Sequence, residues 1–296
     1  MDLTDVGSIV PESGGGIGPF GAKGIGGPSS PPHRARDRRC GLKHGCNADL
    51  GFSHHGGEGA RGDNSARKKG VQVRKKIGIL TIGQSPRVDV VADITARFCV
   101  DVEVCEMGAL DGLTLAQVKQ YAPKADMLAL TTRMADGTEV VVAKEKLLPR
   151  LEAAVTALNE RGVSLILLLC VGPFPEFPSR CLVVQPKRVV DKCVAGLVTD
   201  RNRLGVVIPI EQQRQWAQET FSPMTPQLTI SVASPYGGEE AMKQAIGELT
   251  AAGCDLLILY CMGFNRTHAT ALRCGSGKPV LLSNSLVARV IGELLE

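Results

Sequence analysis

Two stretches of the chain carry the same hydrophobic signature. Val163-Ser-Leu-Ile-Leu-Leu-Leu169 and Asp255-Leu-Leu-Ile-Leu-Tyr260 are apolar runs of the length expected for buried strands. Each follows a helix-like segment that ends in glycine, Gly162 and Gly253. Each runs into a cysteine, Cys170 and Cys261, and each continues x-Gly. Around them the pattern keeps switching between strand and helix periods. Ile77–Ile82, Val100–Cys105, Asp126–Thr131, Leu204–Ile210, Leu228–Ala233 and Pro279–Leu282 read as strands, with Gly137–Val142 as a further edge strand.

Helical spacing runs through residues 143–161, carried by Leu147, Leu148, Leu151, Ala154, Val155 and Leu158. It returns over Pro186–Val198, from Glu211 onward, over residues 239–252, and from Ser283 to Leu295. Thr114-Leu-Ala-Gln117 is a capping-box start. Ser85 and Pro86 are a natural N-cap and first helical residue, so a helix is expected directly after the first strand. Strands alternating with helices predict an α/β fold of mainly parallel sheets flanked by helices. The chain divides near residue 185 into two similar halves, which predicts two pseudo-symmetric lobes facing across a cleft, the usual place for a small molecule.

Composition separates off residues 1–75. Residues 1–76 hold 17 of the 34 glycines, four of the five histidines, and 13 Lys/Arg against 7 Asp/Glu; 21 basic and 23 acidic residues remain beyond them. The basic balance therefore belongs to the N-terminal stretch. Rich in Gly and Pro, that stretch reads as a disordered basic extension, or as an upstream segment translated from a wrongly chosen start. Cys40, His44 and Cys46 with His54 and His55 fit no standard zinc spacing, so no metal is expected. The mildly acidic remainder gives no reason to expect nucleic acid. No apolar run is long enough for a membrane span and no secretory h-region opens the chain. Cys99, Cys105, Cys170, Cys193, Cys254 and Cys261 are spaced like core residues, which points to a reduced, cytoplasmic protein. No nucleotide-binding Gly motif occurs beyond residue 76, and no cofactor is expected.

The chemistry rests on the two cysteines. Placed across a cleft, one as thiolate could remove a proton from a carbon beside a carboxylate or carbonyl, and the other as thiol could deliver one to the opposite face. Such a thiolate needs its pKa of about 8.5 lowered, for instance by a helix N-terminus. The backbone near Ser85 and Ser283 and the side chains of Thr132 and Asn284 are candidate donors to the developing enolate. Arg87, at the strand–Gly–Ser–Pro turn, adds a fixed charge for a substrate carboxylate, and Arg133 follows Thr132. His268 could orient Cys261 or help bind substrate. Each residue also has a plainer reading: cysteine as a small core hydrophobe, Ser85 as a simple cap, His268 as a surface side chain. A Cys-dependent hydrolase needs a base, and His268 is the one histidine beyond residue 76.

Several segments together resemble the AroM family: Ile79-Leu-Thr-Ile-Gly83, Tyr121-Ala-Pro123, Gly205-Val-Val-Ile-Pro209, Cys261-Met-Gly-Phe264 with His268, and Pro279-Val-Leu-Leu-Ser-Asn-Ser-Leu-Val-Ala-Arg289. That family is similar to the aspartate/glutamate racemase superfamily, whose members set two cysteines in two pseudo-symmetric lobes. The resemblance implies an α/β domain over 76–296, with lobe one about 76–185 plus 278–296 and lobe two about 186–277. It implies that the C-terminal strand and helix return to the first lobe, and that Cys170 and Cys261 are catalytic. The racemases carry Cys-Asn-Thr and Cys-Thr-His where this chain has Cys-Val-Gly and Cys-Met-Gly. The expected function is a cofactor-independent racemase or isomerase acting on a small carboxylate or amide. The alternative is a non-catalytic small-molecule-binding or regulatory protein on the same scaffold. The partner is a small molecule, with homo-oligomerisation left open.

Overall fold

The computed structural model describes residues 74–296. The basic extension, with its Cys40–His55 cluster, lies outside the described residues. In chain order the first half runs β1 (Lys75–Thr81), α1 (Val91–Thr95), β2 (Val102–Gly108), α2 (Leu115–Val118), β3 (Ala129–Arg133), β4 (Glu139–Ala143), α3 (Lys144–Glu160), β5 (Leu165–Leu168) and β6 (Leu182–Val184). The second runs α4 (Pro186–Leu197), β7 (Leu204–Ile208), α5 (Arg214–Phe221), β8 (Leu228–Val232), α6 (Glu239–Ala251), β9 (Leu256–Leu259), α7 (Arg266–Ser276), β10 (Val280–Leu282) and α8 (Ser283–Leu295).

The two halves repeat one topology. Their sheets are ordered β2-β1-β5-β6 and β10-β9-β7-β8, all pairs parallel. Read from the other edge, the second order is β8-β7-β9-β10, so β1 answers to β7, β2 to β8, β5 to β9 and β6 to β10. Two pseudo-symmetric α/β lobes result. The antiparallel hairpin β3–β4 is an addition to the first. The helices before the two cysteine strands stop alike. Gly162 and Gly253 follow α3 and α6 at φ of 70° and 65°, a left-handed turn that glycine adopts without steric cost.

Period-two alternation sorts the strand side chains between layers. Ile77, Ile79, Leu165, Leu167, Val206, Ile208, Ile258 and Tyr260 meet Val190 of α4 and Val287 and Ile291 of α8 in one core shared by both sheets. Leu80, Ile166 and Leu168 face α3 through Leu147, Leu151 and Val155. Val207, Leu257 and Leu259 face α6 and α7 through Leu249, Ala269 and Leu272. Burying each such side chain is worth about 1.5–3 kcal/mol. In the shared core Tyr260 is fully buried, with Phe221 edge-on at 4.8 Å and Trp216 at 5.5 Å. Its hydroxyl donates to Asp191 Oδ1 at 2.6 Å.

Three expectations change. The C-terminal strand does not return to the first lobe: β10 pairs with β9, as the counterpart of β6, and α8 alone reaches across, packing against α1 of the first lobe as well as α4 of its own. No helix starts at Ser85. α1 begins at Val91, because the Ser85 side chain and backbone N–H both donate to Asp111 instead of capping. Cys99 is exposed, whereas Cys254 is buried. All eight described cysteines are free, and no helix among the described residues is long and apolar enough to cross a membrane.

Candidate active site

The strand pleat decides where the two thiols go. Cys170 packs against the cluster that holds Ile166 and Leu168, and Cys261 against the one that holds Leu257 and Leu259, so both sit in the same phase of equivalent strands. Beyond each sulfur the chain bends back. Gly172 N–H donates to Cys170 Sγ at 3.3 Å, and Gly263 N–H donates to Cys261 Sγ at 3.4 Å. The repeated Cys-x-Gly is thus a repeated structure. Both glycines stand in tight space. A Cβ on Gly172 would come within 3.0 Å of the Phe174 ring, and one on Gly263 within 2.5 Å of Tyr236 Oη.

Burial dominates the electrostatics of the pair. It pushes the Cys170 thiol up to about 12 and Cys261 up to about 11. The Gly172 and Gly263 amides and the Arg87 guanidinium pull both the other way. A charge on Cys261 would raise Cys170 further, and the Arg87 cation favours the charged form of both. The thiolate-stabilising helix N-terminus expected from the sequence is not adjacent. After Cys261 the next helix starts at Arg266, and after Cys170 the next starts at Pro186.

Arg87 is 3% exposed and holds a dense set of bonds. Its Nε and Nη2 fork onto Asp89 Oδ1 and Oδ2 at 2.9 and 2.8 Å, Nη1 donates to Thr81 Oγ1 at 3.1 Å, and Nη2 donates to Tyr236 Oη at 3.0 Å. Despite burial, which opposes it, Asp89 and Tyr236 hold its proton affinity above the ordinary arginine value. The Asp89 carboxyl is held below the usual range by Arg87 and by Arg133, whose Nη1 lies 3.6 Å away, although burial opposes this. Tyr236 bridges the lobes: it belongs to the loop after β8, yet its hydroxyl meets Arg87 of the first lobe. Burial raises its proton affinity. Glu139 of β4 makes a second bridge, accepting from Thr131 Oγ1 at 2.8 Å and Ser234 Oγ at 2.7 Å.

The other sequence-nominated residues fall in different places. Ser85 is committed to Asp111, and Arg87 N–H to Glu106 Oε2 at 2.7 Å, so carboxylates of this chain occupy the turn expected to take a ligand anion. Ser283 is buried and donates to Leu259 O at 2.7 Å, and Asn284 donates to Phe264 O; the first ties α8 to the end of β9 and the second to the loop that follows it. His268 accepts the Asn265 N–H on Nδ1 at 3.1 Å in the capping box of α7. Desolvation lowers its proton affinity. It lines a cavity of about 450 Å³ with Ser234, Glu239 and Asn265. Thr132 is the one buried side-chain polar group among the described residues with no hydrogen-bond partner. Its hydroxyl lies against Gly83, where a Cβ would come within 2.3 Å of it. Sequence reasoning missed Asp89, Glu139 and Tyr236. Tyr236 alone carried a signal, as the one aromatic in the Ser234-Pro-Tyr-Gly-Gly turn at a strand's carboxyl end.

Two repeated parallel sheets with a cysteine after the equivalent strand of each define a protein of the aspartate/glutamate racemase-like fold. The match to Picrophilus torridus aspartate racemase has a TM-score of 0.50 at 11% identity, over 75% of this chain and 94% of that one. Glutamate racemase from Aquifex pyrophilus matches at a TM-score of 0.49 and 15% identity, over 75% and 84% of the two chains. The maleate isomerase Iso from Pseudomonas putida S16 matches at 0.47 and 10%, over 75% and 92%. At such identities the likeness is one of fold. No curated protein matches the sequence. The family described as AroM protein matches residues 77–295, and the chain belongs to that family.

Proposed function

We propose that this AroM protein is a cofactor-independent racemase or isomerase, with Cys170 and Cys261 exchanging protons with one carbon of a small carboxylate or amide. The observation that carries the reading is the duplicated arrangement itself. Two sulfurs at equivalent strand ends each receive an amide two residues on and share Arg87 as a nearby cation. One sulfur, as thiolate, takes the proton and becomes a thiol. The opposite thiol gives its proton to the other face and becomes the thiolate. One proton leaves the carbon and one arrives, and the sulfurs end with their roles reversed, ready for the mirror-image substrate. The amides and Arg87 stabilise the thiolate whichever sulfur carries it. The unpartnered Thr132 hydroxyl is a donor for the developing enolate.

The test is uptake of solvent deuterium at the reacting carbon across a panel of amino acids, hydroxy acids and hydantoins, with wild type, Cys170→Ala and Cys261→Ala. Exchange by wild type that both substitutions reduce at least a hundredfold supports the reading. Exchange by none of the three across the panel removes it.

A second reading has one observation in its favour, the upward shift of both thiols, which leaves little thiolate at neutral pH. On that reading the chain is a non-catalytic small-molecule-binding or regulatory protein. Ligand-dependent thermal stabilisation would then survive replacement of both cysteines.

A further inference from the structure

Away from the thiols, a surface cavity of about 480 Å³ lies where the lobes meet through α8. Three arginines from three places in the chain reach its wall. Arg97 follows α1 of the first lobe, Arg266 opens α7, and Arg289 lies on α8. Among the described residues none of the three side chains has an ion-pair or hydrogen-bond partner, in contrast to Arg87, Arg188 and Arg214, which fork or pair with carboxylates. Arg97 is half-buried, and desolvation, then Arg266, then Arg289, all disfavour its charge. Asp93, Glu293 and Glu296 stand on the same wall, and Asp93 only partly offsets that repulsion.

Like charges gathered in a partly desolvated hollow raise its energy, and an anion entering it lowers that energy. Three separate guanidinium forks can each serve one oxygen of a tetrahedral dianion, whereas a carboxylate offers two oxygens. The volume is that of a small-metabolite pocket. The flanking carboxylates are acceptors for hydroxyl or amino groups on the body of such a ligand.

We propose that the Arg97–Arg266–Arg289 cavity is a binding site for a phosphomonoester. The site is separate from Cys170 and Cys261 and does not depend on the reading of their chemistry. The test uses the full chain with inorganic phosphate and phenyl phosphate as probes, and potassium acetate at matched ionic strength as the reference. Thermal-shift titration gives the affinity, and circular dichroism checks that each variant is folded. The expected result is saturable stabilisation by both phosphates and none by acetate. Arg266→Gln and Arg289→Gln, both at exposed positions, should each weaken phosphate binding at least tenfold. Lys243→Gln, at an exposed position on α6, should leave it unchanged. Equal stabilisation by acetate and phosphate overturns the proposal. So does phosphate affinity that is the same in the two arginine variants as in wild type, or that falls equally in Lys243→Gln.

Discussion

Arg87 Nη2 donates to Tyr236 Oη at 3.0 Å, closing a cation of the first lobe onto a loop of the second, 149 residues away. The same guanidinium is forked onto Asp89 and is almost fully buried. Removing one partner of a buried ion pair strands the other, at a cost of about 3–5 kcal/mol. Asp89 keeps some exposure, which places Arg87→Met near the lower figure, about 3 kcal/mol. Urea unfolding at pH 7 measures it. The sign of its pH dependence follows from Asp89. Because the folded-state pKa is depressed, the pair stabilises fully above the unfolded carboxyl value, about 3.9, and that stability is lost as pH falls through the folded value. The wild-type advantage over Arg87→Met should therefore shrink in acid. A penalty that stays constant down to pH 2 would show that Asp89 is not its source.

The two thiols make an alkaline prediction. Cys170 is pushed up to about 12 and Cys261 up to about 11, so through neutral pH both are protonated. Well below its pKa, a thiol gains thiolate about tenfold per pH unit, and the thiolate is the nucleophile. Iodoacetamide labelling of Cys170 and Cys261, read by peptide mass spectrometry, should climb by about that factor per unit from pH 7 to 10 with no plateau. Folding stability should decline over the alkaline range. The unfolded thiols ionise near 8.5 while the folded ones hold their protons, so stability is lost as pH rises from there toward the folded values. Labelling that levels off below pH 9 would mean that the amides and Arg87 outweigh burial.

Gly263 sets the distance between the Cys261 turn and Tyr236. A methyl there would come within 2.5 Å of Tyr236 Oη, 2.9 Å of its Cζ and 3.0 Å of Pro235 Cγ. The phenol is tied to Arg87, so it cannot yield without giving up that bond. Gly263→Ala should cost about 1–3 kcal/mol, as overpacking of a tight site does. In Tyr236→Phe the oxygen is gone and the clash is relieved in part. The double variant should thus lose less than the sum of the singles in a thermal-unfolding cycle. Full additivity would show that the contact does not limit the turn.

The elements that repeat were the most legible. β5 and β9 announce themselves as apolar runs, and the left-handed glycines before them mark where α3 and α6 end. The Thr114 capping box closes as its spacing predicts. β6 escaped because it has three residues, begins with an exposed Leu182 and follows a proline-rich loop that masks any alternation. α7 escaped because it buries only Ala269 and Leu272, too few positions to print a period. At the site, Cys170 and Cys261 could be nominated because sequence repetition reports on equivalent position. Asp89, Glu139 and Tyr236 could not. Glu139 and Tyr236 act through partners 95 and 149 residues distant, and Asp89 matters only because the neighbouring Arg87 turns inward.

The turn after β1 yields the last prediction, since it is where a local signal pointed to the wrong partner. Ser85 and Pro86 spell a helix start with amides open to an anion. Asp111 supplies that anion internally: Ser85 N–H, Ser85 Oγ and Gly108 N–H each donate to it at 2.7 Å. Asp111→Ala leaves three donors without an acceptor, two of them backbone groups. At about 1–3 kcal/mol for each buried donor left unmade, and with the site only partly buried, the loss should be about 3 kcal/mol. Asp111→Asn keeps one carbonyl oxygen and should lose about half as much. Hydrogen exchange locates the effect. Ser85 and Gly108 amides should exchange faster in Asp111→Ala, while amides of the second sheet, such as Val207 and Leu257, keep their protection apart from the global loss. Unchanged exchange at Ser85 and Gly108 would show that water serves those amides as well as the carboxylate does.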